Sequence, residues 1–275
     1  MRQQSHKVPE PLLEALSRYV IPTLYKETVQ GGSQALQISA NQSLGLAKAA
    51  LSPDRHACAS MVLAWYQLGI PVAHIFSVGV RDAALHLGDW WLADDISFVE
   101  VTLASERLQH LVLNSQGLFG KPLNDAPPDT GDVVLLAKAV ACQHTLGLLV
   151  VGEIFRQQGW CVLTPTEPGA AWVNTLAQKH VHVVGVSVAH SDQVSTTQAL
   201  IAGCRRASIN TQLIVMVGGP YALACDDLAA QVGADFLSVD ASEGEQQARR
   251  RVDAVRQSTS SNQDRFSRSD SAPQV

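Results

Sequence analysis

The sequence predicts an α/β protein, in which an N-terminal helical bundle precedes a flavodoxin-like, doubly wound parallel sheet of five strands. Three observations support this fold class. Apolar residues recur at helical spacing as far as about residue 115. A segment rich in Gly, Pro and Asp follows at 116–131, and we interpret it as a linker. Beyond it, short apolar runs alternate with helical patterns, as in parallel sheets with helical crossovers.

The bundle is predicted over residues 9–115, after a flexible start at 1–8. Helical segments begin near Pro9, Ser33, Asp54, Ile70 and Ser97. In the last of these, Ser97 and Glu100 fit a capping box. The expected buried positions of the last two segments are Ile75, Val78, Ala83, Leu85, Leu87, Phe98, Val101, Leu108 and Leu111.

The sheet domain is predicted over residues 132–255. The strand candidates are 132–138, 160–164, 181–188, 212–218 and 235–239. The helical patterns between and after them lie at 145–158, 169–179, 194–206, 220–232 and 243–255. In the expected strand order 2-1-3-4-5, strands one, three and four are adjacent. Residues 256–275 are polar and predict a disordered tail.

Composition and charge exclude several classes of protein. A net charge of −5 argues against direct DNA binding, which requires an excess of Lys and Arg. No apolar run approaches the roughly 20 residues that span a bilayer, so no membrane association is expected. The N-terminus lacks the apolar core of a secretory signal. Cysteines occur singly, as reduced thiols do, which favours a cytoplasmic protein; they are Cys58, Cys142, Cys161, Cys204 and Cys225.

Three features fall at predicted strand ends. His144 follows strand one, Ser187 ends strand three, and Gly218-Gly219 ends strand four. The carboxyl ends of parallel strands share one edge, where ligands bind in open α/β sheets. Gly147 opens the helix that follows His144. We therefore expect a ligand site at this edge, where paired glycines allow a bulky ligand to approach the backbone.

The spacing of these residues resembles a motif of cobalamin-binding domains in methionine synthase, corrinoid carrier proteins and cobalamin-dependent mutases. That motif is D-x-H-x-x-G, then S-x-L, then G-G. This chain has Cys142-Gln143-His144-Thr145-Leu146-Gly147, then, after 39 residues, Ser187-Val188-Ala189, and, after 28 more, Gly218-Gly219. The resemblance implies that cobalamin is the cofactor, its form left open, and that His144 is the axial ligand of cobalt. Ser187 and the glycine pair would line the channel for the nucleotide tail, with Gly147, Thr145 and Val188 beside them.

Two positions depart from the motif. Its Asp is Cys142 here, and its Leu is Ala189. The Asp would hydrogen-bond the ligating imidazole and raise its basicity, whereas a thiol is a weak partner. His144 is therefore expected to be an easily displaced ligand, which favours a sensor over an enzyme.

The bundle is similar to the helical cap of carotenogenesis-type cobalamin photoreceptors, in which a Trp and a Glu-His pair lie over the corrin. Trp90 and Glu100 have that spacing, with Trp91 beside the first, but Val101 stands at the His position. The stretch at 94–109 is similar to the PpaA/AerR antirepressors, which are cobalamin-responsive and bind a PpsR/CrtJ-type repressor. The resemblance implies a light- or corrinoid-responsive transcriptional regulator of that kind, a non-enzyme whose partner is such a repressor.

Alternatives remain open at the level of sequence. The chain could be a corrinoid methyl carrier, or a haem sensor on the same scaffold, since one imidazole serves both metals. Trp90 and Trp91 could be core residues, and Glu100 could serve only the capping box. His180 and His182 would share a strand face, as a metal-binding pair can.

Overall fold

The computed structural model describes residues 37–119, 131–139, 145–164 and 170–269. The predicted first helix therefore lies outside the described residues. In the N-terminal part, the helices are α1 (Ala40–Leu51), α2 (Ala57–Gln67), α3 (Val72–His74), a π-helical stretch (Ile75–Val80), α4 (Arg81–Leu92), α5 (Phe98–Leu113) and α6 (Ser115–Phe119). α1 packs against α4 and α5.

The bundle core is apolar and its helices meet through one stripe each. The stripe residues Leu46, Val62, Ile75, Ala83, Leu87 and Leu108 are fully buried. α6 lies where the linker was predicted to begin. Its residue Phe119 packs into the bundle core, with its ring centroid 4.8 Å from that of Tyr66 and 6.0 Å from that of Phe76.

Two predicted core residues are exposed. Leu85 is 59% exposed because it lies two positions from both Ala83 and Leu87, on the opposite side of α4. Phe98 is 70% exposed, since it stands in the first turn of α5, about 100° around the helix from the stripe through Leu108. Both predictions were wrong.

The sheet has five parallel strands in the order β2-β1-β3-β4-β5, which confirms the predicted fold class. The strands are β1 (Val133–Lys138), β2 (Cys161–Leu163), β3 (Val183–Ser187), β4 (Ile214–Gly218) and β5 (Phe236–Leu237). β1, β3 and β4 are almost continuous Val, Ile and Leu, as expected for strands covered on both faces.

Helices cover both faces of the sheet. They are α7 (Leu146–Gln157), α8 (Ala170–Gln178), α9 (Val194–Ala207), α10 (Leu228–Val232) and α11 (Ala241–Ser269), with 3-10 turns at Ser191–Gln193 and Pro220–Leu223. The pattern at 220–232, predicted as one helix, is thus a 3-10 turn followed by α10. Leu136, Met216 and Val183 point to the face on which α7 and α11 lie, called the α7/α11 face below.

α11 is longer than predicted. Its backbone stays helical from residue 256 to Ser269, where the polar composition predicted a disordered tail. Arg256 fixes the helix at this point through a bidentate contact with Asp132. The contact spans most of the domain in sequence, which a composition-based prediction does not detect.

A polar cluster at the amino ends of the strands, called the amino-edge cluster below, joins α11 to the sheet. Asp132 is 5% exposed and accepts from Arg249 Nη1 at 3.0 Å and from Arg256. Glu245 is also buried; its Oε1 accepts from Trp160 Nε1 at 2.7 Å and from Arg249 Nη2 at 3.1 Å. Each buried carboxylate therefore has charged or polar donors, as burial requires.

His182 completes the amino-edge cluster as a neutral imidazole. Its Nδ1 accepts from the Val133 N–H at 3.0 Å, and its Nε2 lies 3.8 Å from Asp132 Oδ1. Burial lowers the pKa of His182, Asp132 opposes that shift, and His180 and Arg256 reinforce it. Protonation would remove the hydrogen bond from Val133.

We expect acid to destabilise the protein partly through His182. Because its pKa is lowered in the fold, its contribution is fully present above the ordinary value near 6.5 and is lost as the pH falls below it. Urea unfolding at pH 8.0 and pH 5.5 should show a smaller loss of unfolding free energy for His182→Gln than for the wild type. An equal loss in both proteins would exclude this role, and His110→Gln, at an exposed position, is the matched control.

Candidate functional site

The carboxyl ends of β1, β3 and β4 lie side by side. In the strand register Lys138 pairs with Ser187, and Ser187 pairs with Gly218. One row further into the sheet, Gly185 lies between Leu136 and Met216. The edge at which a ligand was expected is therefore a row of small residues at β3 and β4, with a lysine at one end.

Gly218 and Gly219 are required by the chain's own backbone. A Cβ on Gly219, where φ is +100°, would lie 2.6 Å from the Val188 carbonyl oxygen. A Cβ on Gly218 would lie 2.6 Å from the Ser238 carbonyl oxygen. The fold itself therefore requires both glycines, while their predicted role of leaving room for a ligand stays a prediction.

The turn after β4 is held by hydrogen bonds to the segment after β3. The Val188 N–H donates to the Gly218 carbonyl at 2.8 Å, and the Tyr221 N–H donates to the Val188 carbonyl at 3.1 Å. Val188 is fully buried. The predicted site residues Ser187, Val188, Gly218 and Gly219 are thus brought together by the fold.

Gly185 differs from the glycine pair, because side-chain ends occupy the space beside it. A Cβ at this position would lie 2.5 Å from Met216 Cε and 2.7 Å from Leu136 Cδ2. All three residues lie on the α7/α11 face, where the covering helices contribute the buried small residues Gly152, Gly244 and Ala248. Sequence reasoning missed Gly185, although a glycine inside a strand often marks a close approach.

His144 and Cys142 lie outside the described residues, so their predicted roles stay predictions. Thr145, the next residue, is described, and its Oγ1 donates to Gln109 Oε1 on α5 at 3.1 Å. α5 also packs along α7. Gly147 is exposed in the first turn of α7, with open space where a Cβ would be. Thr145, the first described residue after His144, is therefore bonded to the helical part of the chain.

The aromatic residues predicted for the cap lie at the end of α4. Trp90 is half-buried and stacks on His86, with ring centroids 6.2 Å apart, and Trp91 is 46% exposed. Further exposed apolar residues surround the turn between α4 and α5, and with Trp91 we call them the cap apolar group: Leu92, Phe98, Val99 and Leu103. Helical periodicity did not predict that this group is exposed, because its members lie off the buried stripe, and it wrongly assigned Phe98 to the core.

Glu100 forms the predicted capping box. Its Oε2 accepts from Ser97 Oγ at 2.7 Å and from the Ser97 N–H at 2.8 Å, and Ser97 Oγ accepts from the Glu100 N–H. These hydrogen bonds, that of the Ser97 hydroxyl above all, lower the pKa of Glu100. The side chain is exposed and committed to the start of α5.

The histidine pair belongs to the opposite edge of the sheet. The rings of His180 and His182 lie 4.8 Å apart, but one nitrogen of His182 is already used by Val133. Within the described part of the chain, His, Cys, Asp and Glu side chains do not form a group of three able to hold a metal ion. Among the same residues, no helix combines the length and hydropathy needed to cross a membrane.

Comparisons with known proteins found similarities to the sheet domain. Residues 133–249 match the model of the B12 binding domain family. An uncharacterized 20.5 kDa protein in the bchF-crtJ intergenic region of Rhodobacter capsulatus is 28% identical over 174 residues, which cover 63% of this chain and 89% of that protein.

Among solved structures, the chain is similar in fold to a monomethylamine corrinoid protein of Methanosarcina barkeri. The TM-score is 0.59 at 15% sequence identity, over 76% of this chain and 98% of that protein. The likeness extends over α/β elements of the same arrangement, while the family match covers the strands and turns that bear Ser187, Gly218 and Gly219. The segment that matches the B12 binding domain model, residues 133–249, thus coincides with nearly all of the parallel sheet and its covering helices.

Proposed function

We propose that the protein is a non-enzymatic cobalamin-dependent regulator, with His144 as the lower ligand of cobalt and the nucleotide tail on the α7/α11 face. The observation that supports this most is the set of small residues on neighbouring rows at the ends of β3 and β4, within the residues that match the B12 binding domain model. Ser187 and Gly218 form the outer row, and Gly185 opens the inner one.

The residues predicted for the site fit the chemistry of the cofactor. An imidazole at position 144 supplies the neutral nitrogen that cobalt accepts as an axial ligand. Ser187 offers a hydroxyl for the tail, and Gly185 offers the position where it can meet the sheet without a Cβ. Bound cobalamin would supply a cobalt centre whose axial ligands can be exchanged.

A regulatory role is favoured over catalysis by the residue near His144. Cys142 stands where the motif has a carboxylate that would strengthen the ligand, so His144 is expected to be displaced easily from cobalt. The name of the Rhodobacter relative puts its gene beside crtJ. This supports our proposal that the partner is a repressor of the PpsR/CrtJ type.

A route for the signal starts at Thr145. Because Thr145 is hydrogen-bonded to Gln109, a displacement of the His144 segment would be transmitted to α5. The cap apolar group lies at the other end of that helix and offers an unusually exposed apolar surface, which protein partners or a large ligand can cover. Light or corrinoid supply would then act by favouring one of two arrangements of α5.

We expect purified protein to retain hydroxocobalamin on a sizing column, with the absorbance spectrum of a histidine-bound, base-off corrinoid. His144→Ala should abolish that spectrum and weaken cobalamin binding by about 100-fold. Replacing a residue that only hydrogen-bonds a metal ligand already lowers metal affinity or activity by about 10–100-fold. His190→Ala is the matched control, because His190 follows β3 at the same edge of the sheet. Free separation of wild-type protein and corrinoid would refute the proposal.

The partner is tested separately. A PpsR/CrtJ-type repressor should be retained by the immobilised protein in a manner that changes with cobalamin and with illumination. Leu92→Ser and Phe98→Ser, within the cap apolar group, should weaken retention, whereas Ile209→Ser, at a similarly exposed apolar position, should not. Retention unaffected by all three changes would place the contact elsewhere.

A corrinoid methyl carrier is the second candidate, favoured by the shared fold with the monomethylamine corrinoid protein. It predicts that the bound corrinoid is reduced to the cob(I) state and then methylated by a partner methyltransferase. Absence of methylation under conditions that reduce the cofactor would favour the regulator. In the same assays, a Soret band after haem addition with no corrinoid retention would identify a haem sensor instead.

A further inference from the structure

We propose that Met216 is a movable plug in the channel for the nucleotide tail and sets how strongly the protein prefers corrinoids that carry the tail. This inference rests on the proposed function, because it assumes that the α7/α11 face receives the tail. It concerns a residue outside the sequence motif, on the row next to the Ser187–Gly218 pair.

The position of Met216 supports this role. It pairs with Gly185 across β3 and β4 and is 8% exposed. Its Cε and Cγ atoms would lie 2.5 and 3.4 Å from a Cβ on Gly185, so the side chain lies over the glycine. Leu136 covers the same position from β1. The space that the missing side chain leaves is therefore filled from both neighbouring strands.

What fills the space distinguishes Gly185 from the other site glycines. At Gly218 and Gly219 the nearest atoms include backbone, which cannot retreat without rearranging the sheet edge. At Gly185 the nearest atoms are the free ends of side chains. Methionine has three rotatable side-chain bonds and adapts readily to irregular spaces. Met216 can therefore leave the space while β3 and β4 stay paired.

A glycine at this point needs a reason, because glycine in a strand interior weakens the strand. The other residues of β3 are Val183, Val184, Val186 and Ser187, so the glycine is an exception within a valine-rich strand. If packing were its only purpose, a valine at 185 with a smaller residue at 216 would serve equally well. With glycine at 185 and methionine at 216, the space beside the glycine becomes available to a ligand when the Met216 side chain moves away.

The plug has a calculable effect on binding. The tail can enter only in the fraction of molecules in which Met216 has turned aside, called the open fraction. The apparent Kd for a tailed corrinoid is therefore the intrinsic Kd divided by the open fraction. An open fraction of about one in ten would weaken binding of tailed corrinoids about tenfold. Cobinamide, which has the corrin but no nucleotide tail, would escape this effect.

The test compares hydroxocobalamin with diaquocobinamide on the full chain by titration followed by absorbance. Met216→Ala should tighten cobalamin binding about tenfold and leave cobinamide binding within about twofold, because the plug is gone. Met216→Leu nearly conserves volume but has fewer rotatable bonds, so it should weaken cobalamin binding severalfold without affecting cobinamide. This second variant keeps the test decisive if the alanine variant does not fold.

Met61→Ala is the matched control, since Met61 also lies beside a glycine but within the helical part: a Cβ on Gly45 would lie 3.7 Å from Met61 Cε. Its ratio of cobinamide to cobalamin affinity should equal that of the wild type. If either Met216 variant folds and leaves this ratio unchanged, or shifts both affinities together, Met216 is not a plug. If the wild type binds neither corrinoid, the proposed function itself fails, and the two failures are thereby distinguished.

Discussion

Replacing Gly219 by alanine is expected to destabilise the protein by about 3 kcal/mol even when no cofactor is present. The φ of +100° lies in a region that residues with a Cβ rarely adopt. The added Cβ would also lie 2.6 Å from the Val188 carbonyl oxygen and 2.8 Å from the Val188 nitrogen, both fixed by backbone hydrogen bonds. Urea unfolding of the cofactor-free protein measures the loss, which is a large part of an ordinary domain's stability.

Gly203→Ala is the matched control for this substitution. Gly203 lies inside α9 with open space where the Cβ would be, so alanine there should stabilise the protein by up to about 1 kcal/mol. A Gly219→Ala protein that unfolds like the wild type and fails only to bind cobalamin would show that the ligand alone demands this glycine. The backbone contacts described above predict the opposite result.

The fold was predictable because each strand is a short, nearly uninterrupted apolar run. Burial on both faces of a parallel sheet forces that composition, and the alternation with helices follows from the crossovers between parallel strands. The convergence of Ser187 and Gly218 at one edge was predictable for the same reason, since it depends only on strand order and strand ends. These inferences use periodicity, which a single sequence displays.

The missed features depend on contacts between distant residues. Leu85 and Phe98 are apolar but exposed. Whether an apolar residue is buried depends on which side of its helix faces the core, and that side is set by several other residues. The reason for Gly218 lies in the Ser238 carbonyl, on the segment after β5. Met216 was read only as a strand residue, because its relation to Gly185 exists only once β3 and β4 are paired. Pairwise packing of this kind has no periodic signature.

The amino-edge cluster was missed for a related reason. Asp132 precedes a strand and Arg256 lies in a polar segment, so each residue by itself resembles an ordinary surface residue. Their contact joins positions at the two ends of the sheet domain, and it explains why α11 remains helical where composition predicted disorder. Asp132 thus binds α11 at two positions, Arg249 and Arg256.

Asp132→Asn is therefore expected to lower the unfolding free energy by about 2 kcal/mol. The amide keeps the shape of the side chain but removes the charge that Arg249 and Arg256 share, and hydrogen bonds to charged groups contribute about 1.5–3 kcal/mol each. Both arginines are partly exposed, so water would recover some of the loss. Amide hydrogen exchange should become faster from residue 256 towards Ser269 before it does so in β3 or β4.

Glu106→Gln provides the comparison for that experiment, because Glu106 and His110 form an exposed pair with N and O atoms 3.9 Å apart. Exposed pairs contribute at most about 1 kcal/mol, so this variant should unfold nearly as the wild type does. Unchanged exchange along α11 in the Asp132→Asn protein would mean that its apolar contacts, such as that of Val252 with the sheet, hold the helix without the carboxylate. Faster exchange confined to α11 would instead identify Asp132 as the residue that holds the second half of this helix in place.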